Sequence, residues 1–388
     1  MPLHRRVFFI AGFDPKSPRY YHRLYRELAA HRPPGAEGGD GASVQVGARR
    51  RLNDWADEWD VHWPDASGGE SLHTRYTLLR WDDIVRAHWE RTAGTVLRDH
   101  WNFYVDGSRQ NLFSRAWRVS RLNWFFIVFP LGVALLVATL WLLLAQAIGA
   151  ALPSHWSIHL ALAAGAASGA WWSWRRLSHR LGSDWLMRLY GFSHAQAEGR
   201  VAELEPRVDA MASLIAQAAR ESAECDELLV VGHSTGATLA ASALSRALAQ
   251  HPDLGCTKPQ LSLLTLGHCI PLVYYFATAH QLRNELDALT DHPQLTWVDY
   301  TAPADWAGCG RIPPWHRPGR ALLHRLSPRF PKILTPEHYR SLKRNRLAMH
   351  MQYLKPADHA GRYDLLAFTA GPGTLRERHP AQAGASEP

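Results

Sequence analysis

A long uncharged stretch, residues 124–152, constrains this chain more than any other feature of its sequence. A helix needs about 20 apolar residues to cross the hydrocarbon core of a bilayer, which is about 30 Å thick, and this stretch exceeds that length. A second and weaker uncharged stretch follows at 156–174, after a short connection. We therefore predict two transmembrane helices that form a hairpin over residues 121–176.

Basic residues flank the predicted hairpin on both sides. Its connection contains neither Lys nor Arg, so the positive-inside rule predicts that both flanks lie in the cytoplasm. We expect the membrane to be a bacterial inner membrane. Tryptophans lie at the ends of the stretches, where indole rings favour the bilayer surface, and we expect Gly165 and Gly169 to bring the helices close together. The flanking residues are Arg109, Arg115, Arg118 and Arg121 on one side, and Arg175, Arg176, His179 and Arg180 on the other.

The formal charge of +8 fits a membrane protein, because many of the arginines surround the two apolar stretches. This arrangement favours a membrane surface over nucleic acid as the partner. The four cysteines, Cys225, Cys256, Cys269 and Cys309, form no CxxC pair. We expect them to be free thiols in a reducing compartment.

Outside the hairpin, short apolar runs alternate with segments of helical periodicity. Runs at 5–13, 227–232, 261–267 and 295–300 are typical of strands, and a helix is expected at 237–249. Further strands are expected at 43–51 and 74–81, and an amphipathic helix at 82–97. Such alternation predicts an α/β protein with a mostly parallel sheet covered by helices on both faces.

The segment Gly232-His233-Ser234-Thr235-Gly236 lies between one of these strands and a helix. A serine at a very tight strand-to-helix turn stands clear of the backbone, and glycines two residues before and after relieve the crowding. The free N–H groups of the following helix point towards the charge that develops on a carbonyl oxygen in acyl transfer. Ser234 is therefore a candidate nucleophile.

This segment, preceded by LLVV and followed by ATLAASAL, resembles the nucleophile elbow of the α/β-hydrolase superfamily, in the His-before-Ser form of many lipases and esterases. The resemblance implies an α/β-hydrolase fold whose triad follows the order Ser, acid, His along the chain. It would divide the sequence into a first hydrolase part at 1–120, the hairpin at 121–176, a second hydrolase part at 177–375, and a disordered tail at 376–388.

The resemblance places the acid on the loop after a later strand. Asp305 lies in such a loop, and Asp299 lies within the apparent strand before it. We favour Asp305, because a carboxylate inside a strand more often serves the structure, and Asp299 is the alternative.

The base is expected after the acid, near the C-terminus. His350 precedes a possible helical turn with Tyr353, similar to a His-x-x-Tyr arrangement of lipase-like relatives, and His359 lies in a polar loop. We favour His350 over His359, and His338 and His316 are weaker candidates.

The resemblance also implies two backbone N–H groups that bind the oxyanion, from Thr235 and from the loop after the first strand, where Phe13 is the candidate. This loop reads Ala11-Gly12-Phe13-Asp14 and lacks the His-Gly or glycine run of many lipases. The position therefore agrees with the family, although the residues differ.

These features predict a membrane-anchored serine hydrolase that cleaves an acyl ester through Ser234, Asp305 and His350. Its expected partners are an acyl-ester or lipid substrate and the lipid bilayer. The sequence contains no GxxxxGK[ST], HExxH or GxGxxG motif, so no cofactor and no metal are expected. The alternative is a catalytically silent, membrane-anchored scaffold on the same fold, and a transporter is disfavoured because the stretches carry no charge.

Overall fold

A computed structural model describes residues 3–37, 43–64, 71–89, 92–152, 155–221, 225–255, 258–310 and 312–380. The chain forms two compact units. One contains Met1–Arg91 and Ser193–Pro388, and the other contains Thr92–Phe192. The predicted hairpin at 121–176 lies within the second unit, together with helical segments on both sides of it.

The first unit is built on a nine-stranded mixed sheet, in the order β2-β4-β5-β1-β6-β7-β8-β9, with β3 beside β4. Strands β5, β1, β6, β7, β8 and β9 run parallel to one another, whereas β4 is antiparallel to β5, β2 and β3. The prediction of an α/β protein with a mostly parallel sheet is confirmed. The strands are β1 (His4–Ile10), β2 (Gln45–Val46), β3 (Arg50–Asn53), β4 (Ala56–Trp63), β5 (Leu72–Leu79), β6 (Glu227–His233), β7 (Gln260–Leu266), β8 (Thr296–Tyr300) and β9 (Leu322–Leu326).

Sixteen α-helices and a 3₁₀ turn at Gln352–Leu354 connect or flank the strands within the described ranges. The helix expected at 82–97 is divided into α2 and α3, and residues 90 and 91 between them lie outside the described residues. The helices are α1 (Pro18–Ala30), α2 (Asp82–Trp89), α3 (Ala93–Arg109), α4 (Leu112–Val119), α5 (Arg121–Ala150), α6 (Trp156–Leu181), α7 (Ser183–Ala197), α8 (Leu204–Glu221), α9 (Gly236–Gln250), α10 (Pro271–Tyr274), α11 (His280–Asp291), α12 (Phe330–Ile333), α13 (Pro336–Arg344), α14 (Arg346–Met351), α15 (Leu365–Ala370) and α16 (Leu375–Arg378).

The sheet is covered on both faces. Val7 and Phe9 of β1 belong to one core with apolar residues of α1 and α15, while α9 contacts β6 and packs against α8 and α11. All seven residues of β6 are buried, as expected for a central strand of a parallel sheet. The ordered chain continues into the predicted tail through α16 and His379, whose ring contacts Tyr300, and residues 381–388 lie outside the described residues.

In the second unit, α5 and α6 pack against each other as an antiparallel pair. The indole N–H of Trp141 donates to the Ser173 hydroxyl at 3.1 Å. A Cβ on Gly169 would lie 2.5 Å from the Trp141 ring, whereas no described atom lies within 4 Å of one on Gly165. Of the two glycines, Gly169 alone therefore makes the close approach expected of both, and it meets an indole ring.

By length and composition, α5 is the one helix in the described parts of the chain that could cross a membrane. Helix α6 includes the second predicted span, but its Trp, Ser, His and Gly residues make it less apolar than α5. The composition of the described helices therefore supports one span, and the second remains a prediction.

Candidate active site

The strand order of the sheet reverses between the neighbouring strands β1 and β6, because the chain after β1 and the chain after β6 continue towards opposite edges of the sheet. From β1 the parallel connection leads to β5 on one side, and from β6 it leads to β7 on the other. In open α/β sheets such a switch point leaves a crevice at the carboxyl ends of the strands, where ligands bind. Gly12 follows β1 and Ser234 follows β6, so both lie at this crevice.

Ser234 occupies the tight turn between β6 and α9. Its φ angle is +60°, in the left-handed region that residues other than glycine seldom adopt and that is often found at functional sites. The turn is fixed by the Ser234 N–H, which donates to the carbonyl of Leu266 at 2.9 Å.

The glycines around this turn are required by close backbone approach. A Cβ on Gly232 would lie 2.4 Å from Cα of Ala237, and one on Gly236 would lie 2.3 Å from the carbonyl oxygen of Ile10. A Cβ on Gly12 would lie 2.6 Å from Cβ of Ser234. The loop after β1 is therefore held directly against the serine.

Asp305 and His350 form a buried pair. The Nδ1 atom of His350 lies 2.8 Å from a carboxylate oxygen of Asp305, and their exposed fractions are 2% and 1%. Burial acts to raise the pKa of Asp305. The charge of His350, the hydrogen bond from His350, and the hydrogen bonds from the backbone N–H groups of Ala307 and Gly308 act in the opposite direction, and they hold the pKa of Asp305 below its usual value. A carboxylate beside Nδ1 keeps the proton on that nitrogen, so Nε2 is the atom that can accept one.

The alternative acid, Asp299, serves a different set of partners inside the sheet. Its carboxylate accepts hydrogen bonds from the hydroxyls of Thr265 at 2.8 Å and Thr301 at 3.1 Å. One of its oxygens also lies 3.7 Å from Nε2 of the buried His268. Asp299 is therefore placed with structural partners, and Asp305 with His350.

The other candidate histidines lie apart from Asp305. His359 is exposed, Nδ1 of His338 lies 2.9 Å from Asp358, and Nδ1 of His316 lies 3.3 Å from Asp287. Of the four histidines considered, the structure brings His350 to the predicted acid.

The two segments predicted to bind the oxyanion both flank Ser234. Thr235 is buried and is the N-cap residue of α9, and the first N–H groups of a helix lack intrahelical partners. Phe13 follows Gly12, and its ring lies 6.3 Å from that of Trp81, whose indole N–H donates to the carbonyl of Ala11 at 2.8 Å. The loop after β1 is thus tied down beside the serine.

His233 has a role at the site that the sequence does not predict. Its Nε2 lies 3.0 Å from the backbone carbonyl of His350, and the two ring centroids are 4.8 Å apart. Burial lowers the pKa of His233 to about 3, with a smaller contribution from His350, so the ring is neutral near pH 7. Because a carbonyl only accepts, Nε2 carries the proton and donates it.

Tyr353 and Cys269 also contact the candidate triad. The Tyr353 hydroxyl donates to Asp305 at 3.1 Å and accepts from the Ala302 N–H at 2.7 Å. The Cys269 sulfur lies 3.5 Å from the Ser234 hydroxyl oxygen, and burial raises the pKa of its thiol to about 12, so it is protonated near pH 7. The His-x-x-Tyr spacing was a signal for Tyr353, whereas no pattern in the sequence indicated Cys269.

The arrangement provides a strained serine, a buried histidine–carboxylate pair and a helix N-terminus at one crevice, which are the parts needed for acyl transfer. Within the described ranges, no group of three or more His, Cys, Asp or Glu side chains could hold a metal ion. Cys225, Cys269 and Cys309 are free and buried, and Cys256 lies outside the described residues. No family model, curated protein or solved structure matches this chain.

Proposed function

We propose that this protein is a membrane-anchored serine hydrolase of the α/β-hydrolase fold that cleaves acyl esters. The observation that carries the proposal is the buried Asp305–His350 pair, in which Nδ1 and the carboxylate are 2.8 Å apart. Along the chain this pair comes after Ser234, which is held at a positive φ angle between strand and helix. The chain order is therefore Ser, Asp, His, as in the α/β-hydrolase family.

In the proposed mechanism, the Ser234 hydroxyl oxygen attacks the carbonyl carbon of the ester while Nε2 of His350 takes its proton. Asp305 orients the imidazole and stabilises the imidazolium. The N–H groups of Thr235 and Phe13 bind the negative oxygen of the tetrahedral intermediate. His350 then gives the proton to the departing alcohol, which leaves the acyl group on Ser234. In the second half of the reaction His350 takes a proton from water, the water oxygen attacks the acyl carbon, and His350 returns the proton to the Ser234 oxygen as the acid is released.

The proposed anchor is the α5–α6 pair. Many large apolar side chains of α5 are exposed, including Leu136, Leu140 and Leu143, and such a surface is typical of a segment that faces lipid or a partner. An enzyme held at a bilayer would meet lipid and acyl-ester substrates there. The basic flanks favour a cytoplasmic position for the hydrolase part, by the positive-inside rule.

The test is labelling of the detergent-solubilised protein with a fluorophosphonate probe, which reacts with activated serines. We expect labelling of the wild type, none of Ser234→Ala, and a large decrease for His350→Ala and Asp305→Asn. The control is Ser245→Ala, because Ser245 is a buried serine of α9 away from the turn. A folded wild-type protein that does not react would contradict the proposal and favour the silent scaffold.

A further inference from the structure

Helix α5 has two halves with different surroundings. The first half has five buried side chains, whereas the second half has most of the exposed large apolar side chains of the helix. The buried residues of the first half are Asn123, Phe126, Ile127, Pro130 and Val133. The exposed large apolar residues of the second half are Leu135, Leu136, Leu140, Leu142, Leu143, Leu144 and Ile148.

The first half of α5 is joined to its unit by polar contacts. Pro130 has no N–H, so the carbonyl of Phe126 loses its intrahelical partner, and the Tyr190 hydroxyl donates to it at 3.1 Å. The Tyr104 hydroxyl donates to the neighbouring carbonyl of Ile127 at 2.6 Å. Two tyrosines thus compensate for the proline, and the helix is built into protein at this level.

The packing of α6 against α5 shows which part of α5 lies beside the basic C-terminal end of α6. Trp174 and Leu177 of α6 are in one apolar cluster with Ala134 and Val137 of α5. The adjacent Arg175 and Arg176 therefore lie at the height of the middle of α5. Arg121, at the start of α5, lies about 21 Å from Leu135 along the axis at 1.5 Å per residue.

Arg175 and Arg176 stack on exposed tryptophans one turn earlier. The Arg175 guanidinium lies 5.9 Å from the centroid of Trp171, and that of Arg176 lies 4.4 Å from the centroid of Trp172. The sequence has no Asp or Glu between Gly107 and Ser183. Indoles favour the bilayer surface and guanidinium groups bind phosphate, so these four residues have the chemistry of a contact with lipid headgroups.

We propose that the bilayer surface crosses α5 near Leu135, and that Arg175 and Arg176, stacked on Trp171 and Trp172, bind lipid phosphates at that level. Residues 135–152 extend for about 27 Å, close to the thickness of the hydrocarbon core, and 156–174 of α6 match this length. Trp156, exposed at the start of α6, marks the opposite surface. This inference rests on the proposed membrane anchor and moves its boundary from residue 124 to the middle of the helix.

The depth of α5 is measured with spin labels on the full-length protein in phosphatidylcholine–phosphatidylglycerol vesicles. Single cysteines replace the exposed Phe125, Leu136 and Leu143 in a Cys256→Ser background, since the other native cysteines are buried. We expect the Leu143→Cys label to be reached by oxygen but protected from a water-soluble nickel complex. The Phe125→Cys label should show the reverse, and the Leu136→Cys label should lie near the phosphate level.

The outcomes separate this inference from the anchor itself. Labels at 125 and 143 that are both protected from nickel would show that the whole apolar stretch is embedded, which overturns the proposed boundary but keeps the anchor. A label at 143 that is accessible to nickel would overturn the anchor and the boundary together.

The phosphate contact is tested by the association of spin-labelled phosphatidylglycerol and phosphatidylcholine with the protein. Arg175→Gln with Arg176→Gln should lower the preference for phosphatidylglycerol severalfold. The control is Arg121→Gln, because Arg121 also stacks on a tryptophan, Trp117 at 5.2 Å, but far from the proposed surface. An equal loss in both variants, or no loss in the double variant, would contradict a headgroup site at Arg175 and Arg176.

Discussion

The imidazole of His233 donates its Nε2–H to the backbone carbonyl of His350, so the residue before the candidate nucleophile holds the backbone of the candidate base. The donor and acceptor are 3.0 Å apart, and both side chains are buried. Two residues that are 117 positions apart in the sequence are thus joined at the crevice. His233 acts on the proposed reaction as a positioning residue.

We expect His233→Ala to lower the rate of fluorophosphonate labelling up to about 100-fold, because small displacements of catalytic groups have effects of this size. His233→Gln keeps an N–H donor and should restore part of the rate. The measurement is the labelling rate beside the melting temperature of each variant. Equal rates for Ala and Gln, with equal melting temperatures, would contradict a role through this hydrogen bond.

Tyr353→Phe removes the hydroxyl that donates to Asp305. A hydrogen bond to a charged group contributes about 1.5–3 kcal/mol, so we expect the labelling rate to fall about tenfold or more. The matched control is Tyr363→Phe, which loses a buried hydrogen bond to the Tyr353 carbonyl at 2.6 Å without touching the carboxylate. Both variants should lose stability, and the prediction is wrong if they lose reactivity equally.

Gly12→Ala would put a methyl group 2.6 Å from Cβ and 3.1 Å from the hydroxyl oxygen of Ser234. The loop or the serine must then move, and we expect labelling to slow about 100-fold or more. Gly94→Ala is the control, because no described atom lies within 4 Å of a Cβ at Gly94. A Gly12→Ala protein that reacts like the wild type would show that the close approach has no part in the chemistry.

Asp299 should make stability depend on pH without affecting the reaction. Burial raises its pKa to about 7, although hydrogen bonds from Thr265 and Thr301 act to lower it. A carboxyl with a pKa raised by folding takes up a proton when the chain folds. Its contribution to stability is therefore complete below the unfolded value of 3.8 and is lost progressively as the pH rises towards 7.

We expect Asp299→Asn to flatten this part of the pH dependence of the free energy of unfolding, measured by urea denaturation between about pH 4 and pH 8. Its labelling rate should stay close to that of the wild type, whereas Asp305→Asn should lose most reactivity. Asp54→Asn, at an exposed position, is the control for removal of a carboxylate. If the free energy of unfolding of Asp299→Asn changes with pH as that of the wild type does, Asp299 is not protonated in the folded protein.

The candidate site was largely predictable because local rules mark it. Glycines at 232 and 236, between a predicted strand and a predicted helix, indicate the tight turn around Ser234. Asp305 lies beyond the end of the preceding strand, in the loop where the acid is expected. The contact of His233 with His350 was not predictable, because it joins segments far apart in the chain. Cys269 beside Ser234 depends likewise on how β7 ends in the folded sheet.

Most of the apolar strands were predicted, whereas the charged strand β4 and the short strand β9 were not. Strand β4 contains Asp57, Glu58 and Asp60, a composition that local propensity disfavours in strands. The fold accommodates it because Asp57 pairs with Arg49 and Arg80, and Glu58 pairs with Arg50. Arginines from neighbouring segments thus allow an acidic strand within the sheet, and this compensation exists only in the folded chain.

The pairing of β1 with β6 sets an order of events during synthesis of the chain. The buried ion pair between Arg5 and Glu227 spans 222 residues, and all of the second unit is made between these two strands. At about 5–20 residues per second, a ribosome needs some 10–45 s to make that intervening chain. During this interval the edge of β1 that pairs with β6 in the folded protein has no partner, although β5, on its other side, is already made. The contact between Gly12 and Ser234 therefore forms only after the whole second unit has been synthesised.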